Sequence, residues 1–317
     1  MTRKPVIISC STLSLSKEEI SLIQDYQPWG LILFGRNIQS QPQVKELTDH
    51  FKSLVKDNNA PVLIDQEGGR VQRLAPPDWP QYPSMGDIAE LYSQNSGEGL
   101  KLLTQTIQSI SADLKACGIN VNCAPVADLR LPNTDPVIGK RAFAADVETT
   151  TKLAGHAASV FLENSILPVL KHVPGYGRVN TDPHFKLPFV KGELKTLEDA
   201  DFKPFKALSH IKSMMVAHIC YEALNPTVPA TQSPEILQSL IRDDWHYDGL
   251  LMTDDIMMQA LQGDVVQRSL ASWRAGMDII LHCSGKIQET TQLLENTPIA
   301  SEQTARRMRE FQDQLTV

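Results

Sequence analysis

Short apolar runs alternate with longer helix-compatible stretches along this chain, and no other feature limits its fold as tightly. The runs occupy 6–9, 30–34, 62–65, 119–124, 166–170, 214–217, 249–253 and 277–281, with amphipathic segments such as 43–56, 99–115, 150–163, 204–210 and 234–242 between them. A strand that is apolar throughout is covered on both faces, and helices between such strands cover a parallel sheet. About eight β/α units close into a barrel, so the spacing predicts an α/β fold, a single (β/α)8 TIM-type barrel. The alternative is a doubly wound open sheet. That fold usually carries a Gly-X-Gly-X-X-Gly turn after a strand, and none follows a strand here. With no internal repeat, low-complexity tract or linker, residues 1–317 read as one domain. The stretch from about 300 reads as a charged amphipathic helix, expected to cap the barrel bottom rather than mediate association.

Charge narrows the range of partners. A net charge of −7 with scattered Lys and Arg argues against a nucleic-acid partner held by phosphate contacts. Residues 1–5 run straight into the first apolar run, with no apolar signal region or cleavage site after it. No segment approaches the ~18 continuous apolar residues of a membrane span. The five cysteines, Cys10, Cys117, Cys123, Cys220 and Cys283, are dispersed and form no Cys-X-X-Cys. Reduced core thiols fit this pattern better than disulfides or a zinc site, and the expected location is cytoplasmic.

In a barrel, functional groups gather just beyond the C-terminal ends of the strands. Polar residues recur at those places: Gly35-Arg36-Asn37; Asp65-Gln66-Glu67-Gly68-Gly69-Arg70-Val71-Gln72-Arg73; Asn122 to Asp128; Ala217-His218; and Thr253-Asp254-Asp255. A further loop carries Lys140-Arg141. The longest such loop starts at Lys171-His172, is broken by Pro174, Gly175, Gly177 and Pro183, and sets Asp182 two residues before His184.

These segments resemble glycoside hydrolases of family 3. The stretch from Leu63 through Arg73 is similar to that family's Asp-Gln-Glu-Gly-Gly-Arg-Val-X-Arg, in particular in its bacterial NagZ-type β-N-acetylhexosaminidases. Lys171-His172-Val173-Pro174-Gly175-Tyr176-Gly177 resembles their Lys-His-Phe-Pro-Gly-His-Gly, and Asp182-Pro183-His184 their Asp-Ser-His. Thr253-Asp254-Asp255-Ile256-Met257-Met258 resembles their Ser-Asp-Asp-Leu-Ser-Met, and Ala275-Gly276-Met277-Asp278 matches Ala-Gly-X-Asp. The likeness runs from about residue 5 to about residue 285, with the motifs in order.

The resemblance implies a retaining β-N-acetylglucosaminidase that needs neither cofactor nor metal. Asp254 would be the nucleophile, forming a covalent glycosyl-enzyme, with Asp255 the adjacent alternative. In place of a second carboxylate the family uses a loop histidine as acid/base, here His184. An imidazole whose ordinary pKa is near ~6.5 both donates and accepts a proton near neutrality. Asp182 would orient it. By the same resemblance Asp65, Arg73, Arg141, Lys171 and His172 would bind the sugar, and His218 would line the pocket. Glu67 and Arg70 could pair in the turn below. Trp29, Trp79, Trp245 and Trp273 read as ordinary packing residues rather than a sugar platform. The implied substrate is a small carbohydrate: terminal N-acetylglucosamine on peptidoglycan-derived 1,6-anhydromuramyl saccharides, with or without peptide, handled during cell-wall recycling. No nucleic-acid or membrane partner is implied, and a monomer is compatible with the sequence.

Two positions depart from the family pattern. Tyr176 stands where His is usual and cannot titrate near neutrality. Pro183 replaces Ser and biases Asp182 toward extended backbone. Three other readings remain open at this point. A phosphorylase would exploit a neutral histidine base that does not repel phosphate. A non-catalytic amino-sugar-binding protein would keep the pocket and lose turnover. A metal-dependent hydrolase would use His172, His184, His218 and Asp254.

Overall fold

The computed structural model describes residues 3–132, 136–179 and 187–315. Its main sheet is built from β1 (Lys4–Ile8), β2 (Pro28–Leu33), β3 (Val62–Ile64), β4 (Val121–Asn122), β5 in two pieces (Leu167–Pro168 and Leu170–Val173), β6 (Ser213–Val216), β7 (Leu250–Asp255) and β8 (Ile279–Leu281). Each strand pairs in parallel with the next, and β8 returns to pair with β1. The first piece of β5 pairs with β4 and the second with β6, so the two pieces of one strand close the barrel.

Side-chain alternation along these strands separates two packing layers. Ile7, Ile32, Leu63, Val121, Val169, Met215, Met252 and Leu281 point inward and fill the barrel. Val6, Ile8, Leu31, Leu33, Val62, Ile64, Leu170, Val216 and Leu251 point outward and join the core formed with the surrounding helices. Those helices are α1 (Lys17–Tyr26), α2 (Gln41–Leu54), α3 (Met85–Gln94), α4 (Ser96–Ala116), α5 (Val147–Glu163), the short α6 (Leu194–Asp199) and α7 (Lys203–Ala207), a π-helix (Glu235–Asp244), α8 (Val265–Ala275), α9 (Ile287–Asn296) and α10 (Glu302–Asp313). Local chemistry sets several of their starts. Ser16 and Glu19 form a capping box on α1, Asp264 and Gln267 do so on α8, and Asp146 caps α5. Helix α10 lies across the bottom: Met308 and Phe311 join the interior cluster, and Phe311 meets Trp29 at 5.8 Å between ring centroids.

The elements differ from the sequence expectation in three places that matter. The fifth run does not stop at Leu170: β5 continues through Val173, because Val173 pairs with Val216 of β6. Lys171 and His172 therefore project from a strand rather than from the loop after it. The run 119–124 yields only the two-residue β4, since Pro125 follows and has no N–H for a ladder. The helix expected over 204–210 is the five-residue α7, preceded by α6. Among the described residues no helix is long and apolar enough to cross a membrane.

Candidate active site

The top of the barrel holds a cavity of about 360 Å³, and its first charged lining residue follows β3. Asp65 is the residue after that strand. A hairpin follows, pairing Gln66–Gly68 with Val71–Gln72, and Gly68 and Gly69 take φ of 91° and 59° at its turn. A Cβ on Gly68 would stand 2.4 Å from the Pro83 carbonyl, so both conformation and space demand glycine there. The buried Asn122 side chain pins the hairpin, accepting from Gln66 N at 3.0 Å and donating to Gln66 O at 2.9 Å. The Gln66 side chain in turn accepts from the backbone N–H of Arg73 at 2.8 Å. Arg73 is thereby brought back toward Asp65, donating from Nη2 to Oδ2 at 3.1 Å. Its guanidinium lies 5.5 Å from the centre of the Phe34 ring, another lining residue.

Lys171 of β5 donates to Asp65 Oδ1 at 2.9 Å and lies 2.6 Å from Glu67 Oε1. Glu67 takes a two-pronged contact from Arg141, with Nε and Nη2 each at 2.8 Å. Burial on its own would push both carboxyls up. For Asp65 the Lys171 and Arg73 charges more than reverse that effect and hold it well below the usual carboxylate range. For Glu67 the Arg141 and Lys171 charges bring it down to about 2. Burial likewise opposes the charge on Lys171, but Asp65 and Glu67 raise it above the ordinary lysine value. Asp65 is thus a fixed anion with one cation on each oxygen, leaving lone pairs free to accept from hydroxyl groups. Two of the three N–H donors of Lys171 are engaged, and the buried Arg73 Nε has no partner among the described residues. The pocket therefore offers donors and acceptors side by side, as a polyhydroxylated ligand requires.

His172 follows on the same wall. Its Nδ1 is 2.7 Å from Asp128 Oδ2, and its Nε2 is 3.4 Å from Arg141 Nη2. Opposite, β7 ends in Asp254 and Asp255, both lining the cavity. Asp254 Oδ1 accepts the N–H of Asp255 at 2.8 Å. Asp255 Oδ1 is tied to the backbone of Met257 and Cys283, each at 3.1 Å, and burial raises that carboxyl. Asp255 thus braces the chain around β7 and β8, while Asp254 keeps more of its carboxylate for the cavity.

The structure brings Asp65, Arg73, Arg141, Lys171, His172 and Asp254 into one pocket. His218 is a correction. It does not line the cavity: it is buried behind β7, with Nδ1 on Thr231 Oγ1 at 2.8 Å and Nε2 on the Asp255 carbonyl at 3.0 Å, and burial lowers its pKa. The expected Glu67–Arg70 pairing is also corrected. Glu67 faces Arg141 and Lys171, whereas Arg70 donates to the carbonyls of Pro136 and Val137. Asp182 and His184 lie outside the described residues. None of the four tryptophans lines the cavity; among the described residues Phe34 and Tyr176 do. All five cysteines are unpaired, and Cys283 forms part of the pocket wall. Sequence reasoning assigned no role to Asp128, which it placed in the polar stretch after the fourth apolar run, or to Phe34, the last residue of the second.

A closed parallel barrel with a carboxylate-bearing polar pocket at its C-terminal strand ends is the layout of a barrel enzyme. The sequence matches the family described as "Glycosyl hydrolase family 3 N terminal domain" over residues 6–313, and the chain belongs to that family of glycoside hydrolases. It is 34% identical over 286 residues to a β-hexosaminidase of Alkalilimnicola ehrlichii, covering 88% of this chain and 80% of that one. A β-hexosaminidase of Neisseria meningitidis serogroup B is 31% identical over 308 residues, covering 94% and 84%. Among solved structures, NagZ from Neisseria gonorrhoeae in complex with N-trifluoroacetyl-D-glucosamine superposes with a TM-score of 0.90 at 30% identity, covering 98% of this chain and 90% of that one.

Proposed function

We propose that this glycoside hydrolase is a retaining β-N-acetylhexosaminidase that releases terminal N-acetylglucosamine from peptidoglycan-derived 1,6-anhydromuramyl saccharides, with or without peptide. The observation that carries the reading is the position of Asp254 opposite a pocket wall of ionised Asp65, Lys171, Arg73 and Arg141. That wall suits a sugar's hydroxyls, and the carboxylate across from it suits attack on the anomeric carbon. The hexosaminidase relatives and the N-acylglucosamine-bound NagZ support the choice of amino sugar.

In the first step Asp254 attacks and the leaving-group oxygen takes a proton from His184; in the second His184 deprotonates the water that releases the sugar. Asp182 orients that imidazole. The wide mouth of a barrel leaves room for the rest of the saccharide and its peptide, and the reaction is assigned to the cytoplasm. Hydrolysis of a chromogenic nitrophenyl N-acetyl-β-glucosaminide by the purified protein tests the assignment. Asp254→Asn is expected to reduce kcat by at least about a thousandfold. His184→Ala is expected to lose most activity and recover part of it on substrates with better leaving groups. Full activity in the Asp254 variant would sink the mechanism.

A further inference from the structure

We propose that Asp128 is a positioning residue for the sugar-binding wall: it dictates which ring nitrogen of His172 carries the proton. The inference rests on the reading of His172 as a sugar contact.

Asp128 has no solvent exposure and does not line the cavity, so it acts only through neighbours. Its carboxylate sits among N–H groups. Oδ1 accepts from Tyr176 N at 2.7 Å, both oxygens lie 3.3 Å from His172 N, and Oδ2 is 2.7 Å from His172 Nδ1. An ionised carboxylate only accepts, so Nδ1 carries hydrogen. The other ring nitrogen faces Arg141 Nη2 at 3.4 Å, and a guanidinium only donates. Arg141 cannot readily turn away, because Glu67 holds two of its nitrogens at 2.8 Å. One state satisfies both neighbours: a neutral ring with Nδ1–H toward Asp128 and an Nε2 lone pair toward Arg141 and the cavity.

In this arrangement Nε2 accepts from Arg141 on the wall of the cavity. An Nε2–H ring would set donor against donor and displace either the ring or the Arg141 guanidinium. The same carboxylate fixes the backbone just past β5 through Tyr176 N, while Tyr221 Oη donates to Gly175 O at 2.5 Å. Ring orientation and the departure of the chain from the strand therefore share one anchor.

Long-range proton–nitrogen spectra of the uniformly nitrogen-15-labelled protein at neutral pH test the proposal. The His172 signals are identified by their loss in His172→Gln. The unaltered protein is expected to show the Nδ1–H tautomer. In Asp128→Asn the side-chain amide can turn its N–H toward Nδ1, and the ring is expected to switch to Nε2–H. With that switch, kcat/KM on the nitrophenyl glucosaminide is expected to fall at least about tenfold. A His172 ring that is Nε2–H or doubly protonated in the unaltered protein overturns the proposal. So does an Asp128→Asn variant that keeps its tautomer, or whose kcat/KM stays within about threefold. If that variant does not fold, the spectrum of the unaltered protein still decides. If the unaltered protein hydrolyses no glucosaminide, the functional reading fails while the tautomer and its switch still test the positioning role.

Discussion

Glu67 is almost completely buried yet stays charged, because Arg141 and Lys171 both reach it. Such a pair is weak evidence for stability as a whole, but removing one member strands the others. Glu67→Gln keeps the shape and removes the charge, leaving Arg141 without its carboxylate and Lys171 with Asp65 alone. It is expected to destabilise the fold by about 3 kcal/mol, read by urea unfolding, and to raise KM as Arg141 loses its two-pronged anchor. An unchanged unfolding midpoint and KM would mean that solvent or Asp65 replaces Glu67 at little cost. At this scale the sequence disclosed the groups better than their partners. Asp65, Arg73, Arg141, Lys171, His172 and Asp254 stood out as polar residues at strand ends and inside motifs. Glu67 was expected to pair with Arg70, and Asp128 was given no partner, because their actual partners lie 74 and 44 residues away, where no local pattern registers. His218 misled for the opposite reason: its place after β6 suggests the pocket, but its ring turns to Thr231 and the Asp255 carbonyl.

Elements show the same division between local and distant causes. The outward and inward layers of the strands were readable from apolar runs, and so was the amphipathic C-terminal helix. The extension of β5 was not, because Lys171 and His172 look like loop residues until β6 supplies pairing partners on one side. The attachment of α10 is a second long-range feature. Asp278, just before β8, accepts from Leu251 N at 3.0 Å, from Arg242 Nη2 at 2.6 Å, from Thr304 Oγ1 at 2.9 Å and from Arg307 Nη1 at 3.1 Å. One buried carboxylate thus ties β7, the π-helix and α10 together at the barrel bottom. Arg307 also reaches Asp248 at 3.0 Å. Arg307→Ala removes a cation from this cluster and is expected to cost about 3 kcal/mol. Because the cluster is at the opposite end from the pocket, kcat and KM at low temperature should stay unchanged while the melting temperature falls. A large loss of kcat in a fully folded variant would contradict that separation.

For the molecule as a whole, buried titratable groups give acid unfolding two successive causes. His282 is fully buried at the end of β8, and burial lowers its pKa from 6.5 to about 4 despite Glu289 nearby. Burial also lowers His218. Above 6.5 such rings are neutral in folded and unfolded chains alike, so their full contribution is present. As pH drops from there toward 4, the unfolded chain binds protons that the folded chain excludes, and His282 alone removes on the order of 3 kcal/mol. The ion-paired Glu67 acts later. Glu67, at about 2 in the fold against an ordinary 4.5, keeps its contribution above 4.5 and loses it as pH falls toward 2. Unfolding free energies from urea titrations between pH 8 and pH 4 should therefore be level near neutrality and then decline before the contribution of Glu67 is lost. In His282→Gln that early decline should become markedly shallower, with His218 supplying what is left, while the later carboxylate-driven loss persists. An early decline of equal slope in the variant would place the first protonation elsewhere and remove the buried β8 histidine as the barrel's first acid-sensitive point.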